Sequence, residues 1–295
     1  MLGVTARGRR IGLRLGRGMM RGVRIAYLGP EGTNSHEAAR RRHPGATLVA
    51  LPDLPAVVDA AARGKVDEAI VPIENSTEGG VTTTLALLTD ETAAPSIVGE
   101  LVLPIRHHLV APPGMRTGDI RRILSLPVAT AQCRRHLAAL VPGAELVPAL
   151  STAAAAAGCA TEPATAAIAS AAAAELHGLD IVIADIQDEP SNATRFVALG
   201  HVPPAWTGCD RTSIVFRFGA DRAGSLVGAL HPFSDRGINM TRIESRPTGE
   251  GLGRYLFLVD CEGHVTDGPV ADALAAVSTV TDGLRILGSY PRAAD

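Results

Sequence analysis

The feature that most restricts this chain is an alternation that runs from Val23 to Ile186 and then stops. Short apolar runs rich in β-branched residues, at 23–28, 48–51, 68–73, 120–124, 146–150, 164–169 and 181–186, take turns with helical segments. The helices are expected over 35–42, 54–63, 81–89, 129–140, 152–159 and 170–177, the order of a parallel α/β sheet. An extended stretch at 95–110, broken by Pro104, interrupts the order, and its return near 180 gives two lobes with a cleft between them. Pro203, Pro204 and Gly208 mark a linker. Beyond it, strands at 212–218, 238–246, 252–260 and 284–289 enclose helices over 221–236 and 270–280, a βαββαβ order that makes a small α+β ferredoxin-like domain. The expected units are therefore 23–202 and 210–290.

Composition narrows the function more by exclusion than by suggestion. Aromatic residues make up only 3% of the chain, so Ala, Val, Leu and Ile must build its cores. The alanine runs at 153–157 and 171–174 then read as closely packed helices, because Ala is the best helix former. A net charge of -2 leaves no electrostatic footprint for nucleic acid, and no apolar run reaches the length of a membrane span. Cys133, Cys159, Cys209 and Cys261 form no C-x-x-C pair and no cluster with His, which argues against a zinc site or disulfide framework and fits a reducing cytoplasm. Residues 1–22 carry Arg7, Arg9, Arg10, Arg14, Arg17 and Arg21 among glycines with no acidic residue. A disordered basic tail is the expectation there, with a transit peptide or nucleic-acid arm as the alternative.

Three loops carry chemistry-bearing side chains. At 29–34 a Gly-Pro-Glu-Gly-Thr turn leads into a helix whose free N–H groups favour an anion, so Gly32 and Thr33 are candidates to receive a carboxylate. An ordinary βα turn is the plainer reading. Glu74-Asn75-Ser76-Thr77-Glu78-Gly79-Gly80 follows a strand and suits a polar ligand, although Ser76 or Thr77 capping the next helix explains it too. Asn192-Ala193-Thr194-Arg195-Phe196 re-enters a strand after a polar turn; alone it reads as a turn with Arg195 in a surface ion pair. His107 and His108 would point to opposite faces of a strand, a poor arrangement for one metal. Cys133 has no visible base partner and reads as a core residue.

Taken together the segments resemble prephenate dehydratase with a C-terminal ACT domain. In the first unit the resemblance rests on Tyr27 to Thr33, Val71 to Ser76, Ala131-Gln132-Cys133 and Thr194-Arg195-Phe196. In the second it rests on Asp210 to Ser213, Gly224-Ser225-Leu226-Val227 and Glu244-Ser245-Arg246-Pro247. Any one of these motifs is weak, and their shared order across two domains is specific. The chain departs from the family at Asn34, where Phe is usual, and at Leu126 and Val128, which replace a His and a Gln.

The resemblance implies a two-lobed, periplasmic-binding-protein-like α/β catalytic domain at 23–202 and an ACT regulatory domain at 210–290. It implies removal of water and carbon dioxide from prephenate to leave phenylpyruvate, in a cytoplasmic homodimer or homotetramer that uses no cofactor or metal and responds to L-phenylalanine. Thr194 is the expected aid to the departing hydroxyl, with Arg195 clamping a carboxylate or supporting the loop, and Phe196 packing beside them. Asn75, Ser76, Ser125 and Gln132 are expected to orient the substrate, and Glu31 and Glu74 to brace their loops or, protonated, to serve as an acid. Gly224 to Val227 and Glu244 to Pro247 are expected to bind the effector, and a chain cut after Cys209, if it remains folded, to stay catalytic while ignoring it. Arogenate dehydratase and a non-catalytic amino-acid sensor are the alternatives; the retained Thr-Arg-Phe and Glu-Asn-Ser stretches weigh against the second.

Overall fold

β1 (Arg24–Leu28) runs parallel to both β2 (Thr47–Leu51) and β3 (Glu68–Asn75), with α1 (Asn34–Arg42) and α2 (Leu54–Ala62) as the crossovers. Ile25, Ala26, Ile70 and Val71 are fully buried where helices cover both faces, so these strands are apolar without alternation. β4 (Gly79–Gly80), α3 (Thr82–Thr89) and β5 (Ser96–Pro104) complete this part of the first lobe. The computed structural model describes residues 22–90, 95–219, 222–249, 251 and 253–293. The arginine-rich tail lies outside them but for Gly22, as do Asp221 and Leu252, where the sequence places the start of a helix and of a strand.

The chain crosses into the second lobe at β6 (His108–Ala111) and continues through β7 (Arg122–Ser125), α4 (Pro127–Gln132) and α5 (Arg134–Leu140). β8 (Glu145–Pro148), α6 (Thr152–Cys159), β9 (Thr165–Ala169), α7 (Ala171–Leu176) and β10 (Asp180–Ile183) follow. β11 (Ala193–Gly200) then returns to the first lobe and inserts between β3 and β5. The two sheets have the orders β2-β1-β3-β11-β5 and β10-β6-β9-β7-β8. Only β2-β1-β3 and β8-β7-β9 are parallel; β11 is antiparallel to both its neighbours, as is β6. The expected parallel sheet is therefore a mixed one, because the strands that cross between lobes arrive against the grain. At the crossing the Ile105 N–H donates to the Asn192 carbonyl at 2.8 Å, holding the two connections side by side.

The helix expected over 129–140 is broken. Cys133 leaves helical geometry at φ -115° and ψ 9°, the Gln132 carbonyl accepts from the Asp188 N–H at 2.7 Å, and the Asp188 carboxylate accepts from the Arg135 and His136 N–H groups at 3.0 and 3.3 Å. Asp188, distant in sequence, thus supplies the cap that starts α5.

The C-terminal domain consists of β12 (Asp210–Arg217), α8 (Ser225–Ser234), β13 (Met240–Pro247), β14 (Tyr255–Glu262), α9 (Gly268–Val280) and β15 (Asp282–Pro291). Its antiparallel sheet has the order β13-β14-β12-β15, as the βαββαβ reading requires. α8 starts at Ser225, later than the sequence suggests, because Gly224 at φ +89° holds a left-handed turn before it. The helices cover Ile214, Phe216 and Val259 on one face, with Phe233 of α8 packed among them. From the other face Val215, Leu258, Leu287 and Tyr290 join Val71, Ile73, Ile97 and Val197 in a core shared with the first lobe.

Candidate active site

A cavity of about 450 Å³ opens between the two lobes. Thr33, Asn75, Thr194 and Phe196 face it from the first lobe, and Leu126, Val128 and Gln132 from the second. Thr194 lies opposite Asn75 on β3 and Leu103 on β5, so sheet register sets its position. The wall is largely apolar, and the described residues that line it include no arginine or lysine.

Asn75 is the most connected side chain of the site. Its Oδ1 accepts from the N–H groups of Thr77 and Glu78 at 3.0 and 3.1 Å, and from the Thr77 hydroxyl at 2.6 Å. Its Nδ2 therefore faces β11, within 2.9 Å of Thr194 Oγ1, 3.0 Å of Asn192 Oδ1 and 3.1 Å of the Ala193 carbonyl. Because Asn75 donates to Thr194, the threonine keeps its own proton for a partner in the cavity, and the bond it accepts makes that proton a better donor. Gln132 reaches across from the end of α4: its Nε2 donates to Thr77 Oγ1 at 3.1 Å and Glu78 Oε1 at 3.3 Å.

The structure divides the remaining sequence candidates. Thr33 caps α1 and lines the cavity, with its hydroxyl accepting from the His36 N–H at 3.2 Å. Ser76 lies beside the cavity, where its hydroxyl accepts from the Ala193 N–H at 3.0 Å and fastens the loop. Gly32 packs against Ala173, and its N–H donates to His36 Nδ1 at 3.2 Å instead of facing a ligand. The Glu31 carboxylate points outward, 62% exposed. Ser125 is buried and donates to the Leu126 carbonyl at 3.1 Å. Arg195 and Glu74 lie on the opposite side of the sheet from Thr194 and Asn75, as strand alternation demands. There Arg195 is ion-paired with Glu74 at 3.3 Å, Glu100 at 3.2 Å and Asp260 at 2.5 Å, the last on the C-terminal domain. It is not a surface residue, and it does not reach the cavity.

Residues given no role in the sequence reading complete the site. His107, weighed above only as half of a metal pair, lines the cavity with Glu78 and with Ser151 and Thr152 at the start of α6. Asn192, 2% exposed, joins Asn75 to Gln132 from behind. The one signal for it in the sequence is its place two residues before Thr194. Burial pushes the Cys133 thiol up to about 12, as suits a core residue.

The regulatory motifs split between two faces. Ser245 pairs with Phe257, on the face that carries the helices, whereas Glu244 pairs with Leu258, on the face toward the catalytic lobes. A side chain added at Gly80 would collide with the Glu244 carboxylate, and the Arg246 guanidinium donates to the Thr82 carbonyl. β13 thus touches the loop that borders the cavity.

Residues 25–204 match the family model of prephenate dehydratase, and residues 212–279 that of the ACT domain. A prephenate dehydratase of Mycolicibacterium smegmatis is 45% identical over 285 residues, covering 91% of this chain and 90% of its own. Among solved structures, a prephenate dehydratase of Arthrobacter aurescens in complex with L-Phe is 41% identical with a TM-score of 0.84, covering 92% of this chain and 90% of that one. GqqA, described as a quorum quenching acylase, is 35% identical with a TM-score of 0.82, covering 91% and 98%. With matching catalytic and regulatory domains in the same order and an inter-lobe cavity built on Asn75, Gln132 and Thr194, the chain belongs to the prephenate dehydratase family, with an ACT domain at its C-terminal end.

Proposed function

We propose that the inter-lobe cavity binds prephenate and that Thr194 assists the ring hydroxyl as it leaves. The observation that carries this reading is the 2.9 Å bond from Asn75 Nδ2 to Thr194 Oγ1, which reserves the threonine proton for the cavity. As the carbon–carboxylate bond breaks, its electron pair enters the ring, carbon dioxide departs, and the hydroxyl leaves from the opposite carbon with a proton drawn from the site or from water. A threonine hydroxyl is too weak an acid to give up its proton outright near neutral pH, so its role is a hydrogen bond that strengthens as charge grows on the oxygen. The carboxylates of the substrate meet neutral donors, since no cation lines the cavity among the described residues. α1 and α6 begin at opposite walls, capped by Thr33 and Ser151, and the first-turn N–H groups at Asn34, Ser35 and Thr152 are suited to them. Gln132 joins the lobes over the ligand.

Purified protein incubated with prephenate should accumulate phenylpyruvate, and Thr194→Ala should lower kcat by roughly a hundredfold with a smaller change in KM. Near-wild-type turnover by that variant would overturn the role of Thr194. Running arogenate beside prephenate separates the two dehydratase readings. An acylase reading finds no support in the cavity, where the imidazole of His107 turns Nε2 to Gln132 and not to a hydroxyl or thiol.

L-Phenylalanine is the proposed effector, bound where Gly224 to Val227 and Ser245 share the helical face of the ACT sheet, and the enzyme is proposed to be a homodimer or homotetramer. β13 is an edge strand, and Ile243 within it and Val227 on α8 are exposed, surfaces suited to a second copy. A phenylalanine titration should depress turnover; a flat response, or a monomer by light scattering, would overturn this part.

A further inference from the structure

The amides around Thr194 admit one consistent set of orientations, and two independent anchors fix it. Asn75 Oδ1 must face the Thr77 and Glu78 N–H groups, which can only donate, so Asn75 Nδ2 faces Asn192 and the Ala193 carbonyl, which can only accept. Asn192 then presents Oδ1 to Asn75 and Nδ2 to Gln132 Oε1, at 3.0 Å. The second anchor is the Glu78 carboxylate, an acceptor 3.3 Å from Gln132 Nε2. It independently turns Gln132 Oε1 toward Asn192 and toward His107 Nε2, also at 3.0 Å. An oxygen meets His107, so the imidazole must bring the proton on Nε2.

The alternative arrangement has a chemical consequence. If Nε2 carried no proton, Gln132 would turn its amide nitrogen toward His107, Asn192 would follow, and two Nδ2 groups would confront each other at Asn75. Reversing Asn75 as well would abandon two backbone N–H groups and aim Oδ1 at Thr194. The threonine proton would then be drawn into the protein and away from the cavity.

We propose that His107 and Asn192 are positioning residues: the Nε2–H of His107 and the amide of Asn192 hold Gln132 and Asn75 in the one arrangement that leaves the Thr194 proton facing the cavity. The mounting suits the task. His107 is buried where the crossings between lobes meet, its backbone N–H donating to Gln187 Oε1 at 3.0 Å and its carbonyl accepting from the Ile186 N–H at 2.8 Å. Burial also pushes its pKa below the ordinary imidazole value, so the ring is neutral near pH 7 and its tautomer is the variable that matters.

The inference rests on the dehydratase reading of Thr194, and the test separates the two. Nitrogen-15 NMR of the full-length protein, with His107→Gln to assign the signal, should show the neutral Nε2–H tautomer at pH 7. In turnover of prephenate, His107→Leu should lower kcat about tenfold, the worth of one hydrogen bond, with KM changed less than twofold. His107→Gln, which keeps an N–H donor, should stay within about threefold of wild type, and His107→Leu should add nothing to the loss in Thr194→Ala. An Nδ1–H ring would overturn the hydrogen-bond arrangement whatever the variants do. Equal impairment of the Gln and Leu variants would overturn the donor role. Full activity in Thr194→Ala would instead overturn the dehydratase role of Thr194.

Discussion

Successive side chains on a strand face opposite ways, and on β11 that rule gives neighbouring residues to different domains. Thr194 meets the cavity, while Arg195 meets Glu100 and Asp260, whose side chains are each only 2% exposed. Removing Arg195 leaves the buried Asp260 carboxylate without a cation, while Glu100 keeps Arg211 at 2.6 Å. Arg195→Ala should therefore destabilise the whole protein by about 3–5 kcal/mol, read as a lower urea midpoint. Arg195→Lys should recover only part of the loss, since one ammonium cannot reproduce a guanidinium fork among three carboxylates. A variant that slows turnover with unchanged stability would return Arg195 to the reaction. The triplet was legible in the sequence, and so was the hydroxyl's suitability. The face that each residue takes was not, because it depends on the register with Asn75 and Glu74 more than a hundred residues away. Asn192 was hidden for a related reason: a buried amide acquires meaning only from the two amides it joins.

Among the elements, the pair α4 and α5 differs most from its reading in sequence. Residues 129–140 have the apolar spacing of one helix, and nothing local reveals that Asp188 will accept from the N–H groups of Arg135 and His136. The break matters because it ends α4 at Gln132, where the side chain reaches the cavity. Asp188→Ala should cost about 1–2 kcal/mol near pH 7, the usual worth of a helix cap, while its backbone N–H still donates to the Gln132 carbonyl. Burial opposes ionisation of this carboxyl, but the Arg135 and His136 bonds outweigh it and hold its pKa below the ordinary value. Its contribution is thus complete above the ordinary carboxylate range and is lost as pH falls through the lowered value. Stability curves of the wild type and Asp188→Ala should converge on acidification; a constant gap would remove Asp188 as an ionised cap. Most other elements were legible, α2 from its period, α6 from its alanines, and the C-terminal domain from its βαββαβ order. The antiparallel setting of β11 was not, since the composition of a strand does not state its direction.

At the scale of the molecule, the shared core changes what the regulatory domain means for the catalytic one. Gly288 lies so close to β5 that any side chain there would strike the Ile97 carbonyl, and the fully buried Tyr290 belongs to the same cluster as Val197 of β11. The catalytic unit expected to survive a cut after Cys209 would expose that apolar face and strip Arg195 of Asp260. Such a fragment should show a lower unfolding midpoint and reduced turnover, and supplying residues 210–295 in trans should restore part of both. A fragment as stable and active as the full chain would show that the shared core is dispensable. The side-by-side crossings at Ile105 and Asn192 have a consequence for how the chain acquires its shape. To the first sheet, β5 and β11 are the arms of a hairpin, and the whole second lobe is its loop. Closing so long a loop as a disordered chain forfeits entropy before any pairing is gained, and non-local pairing of this kind is slow. A second lobe that gathers itself first delivers both ends to the same point, and β11 can then pair with β3 while β5, which pairs with no other described strand, closes over it. The strand that carries Thr194 thus joins the first sheet across the closure of the second lobe, so a catalytically complete molecule is one in which both lobes have folded.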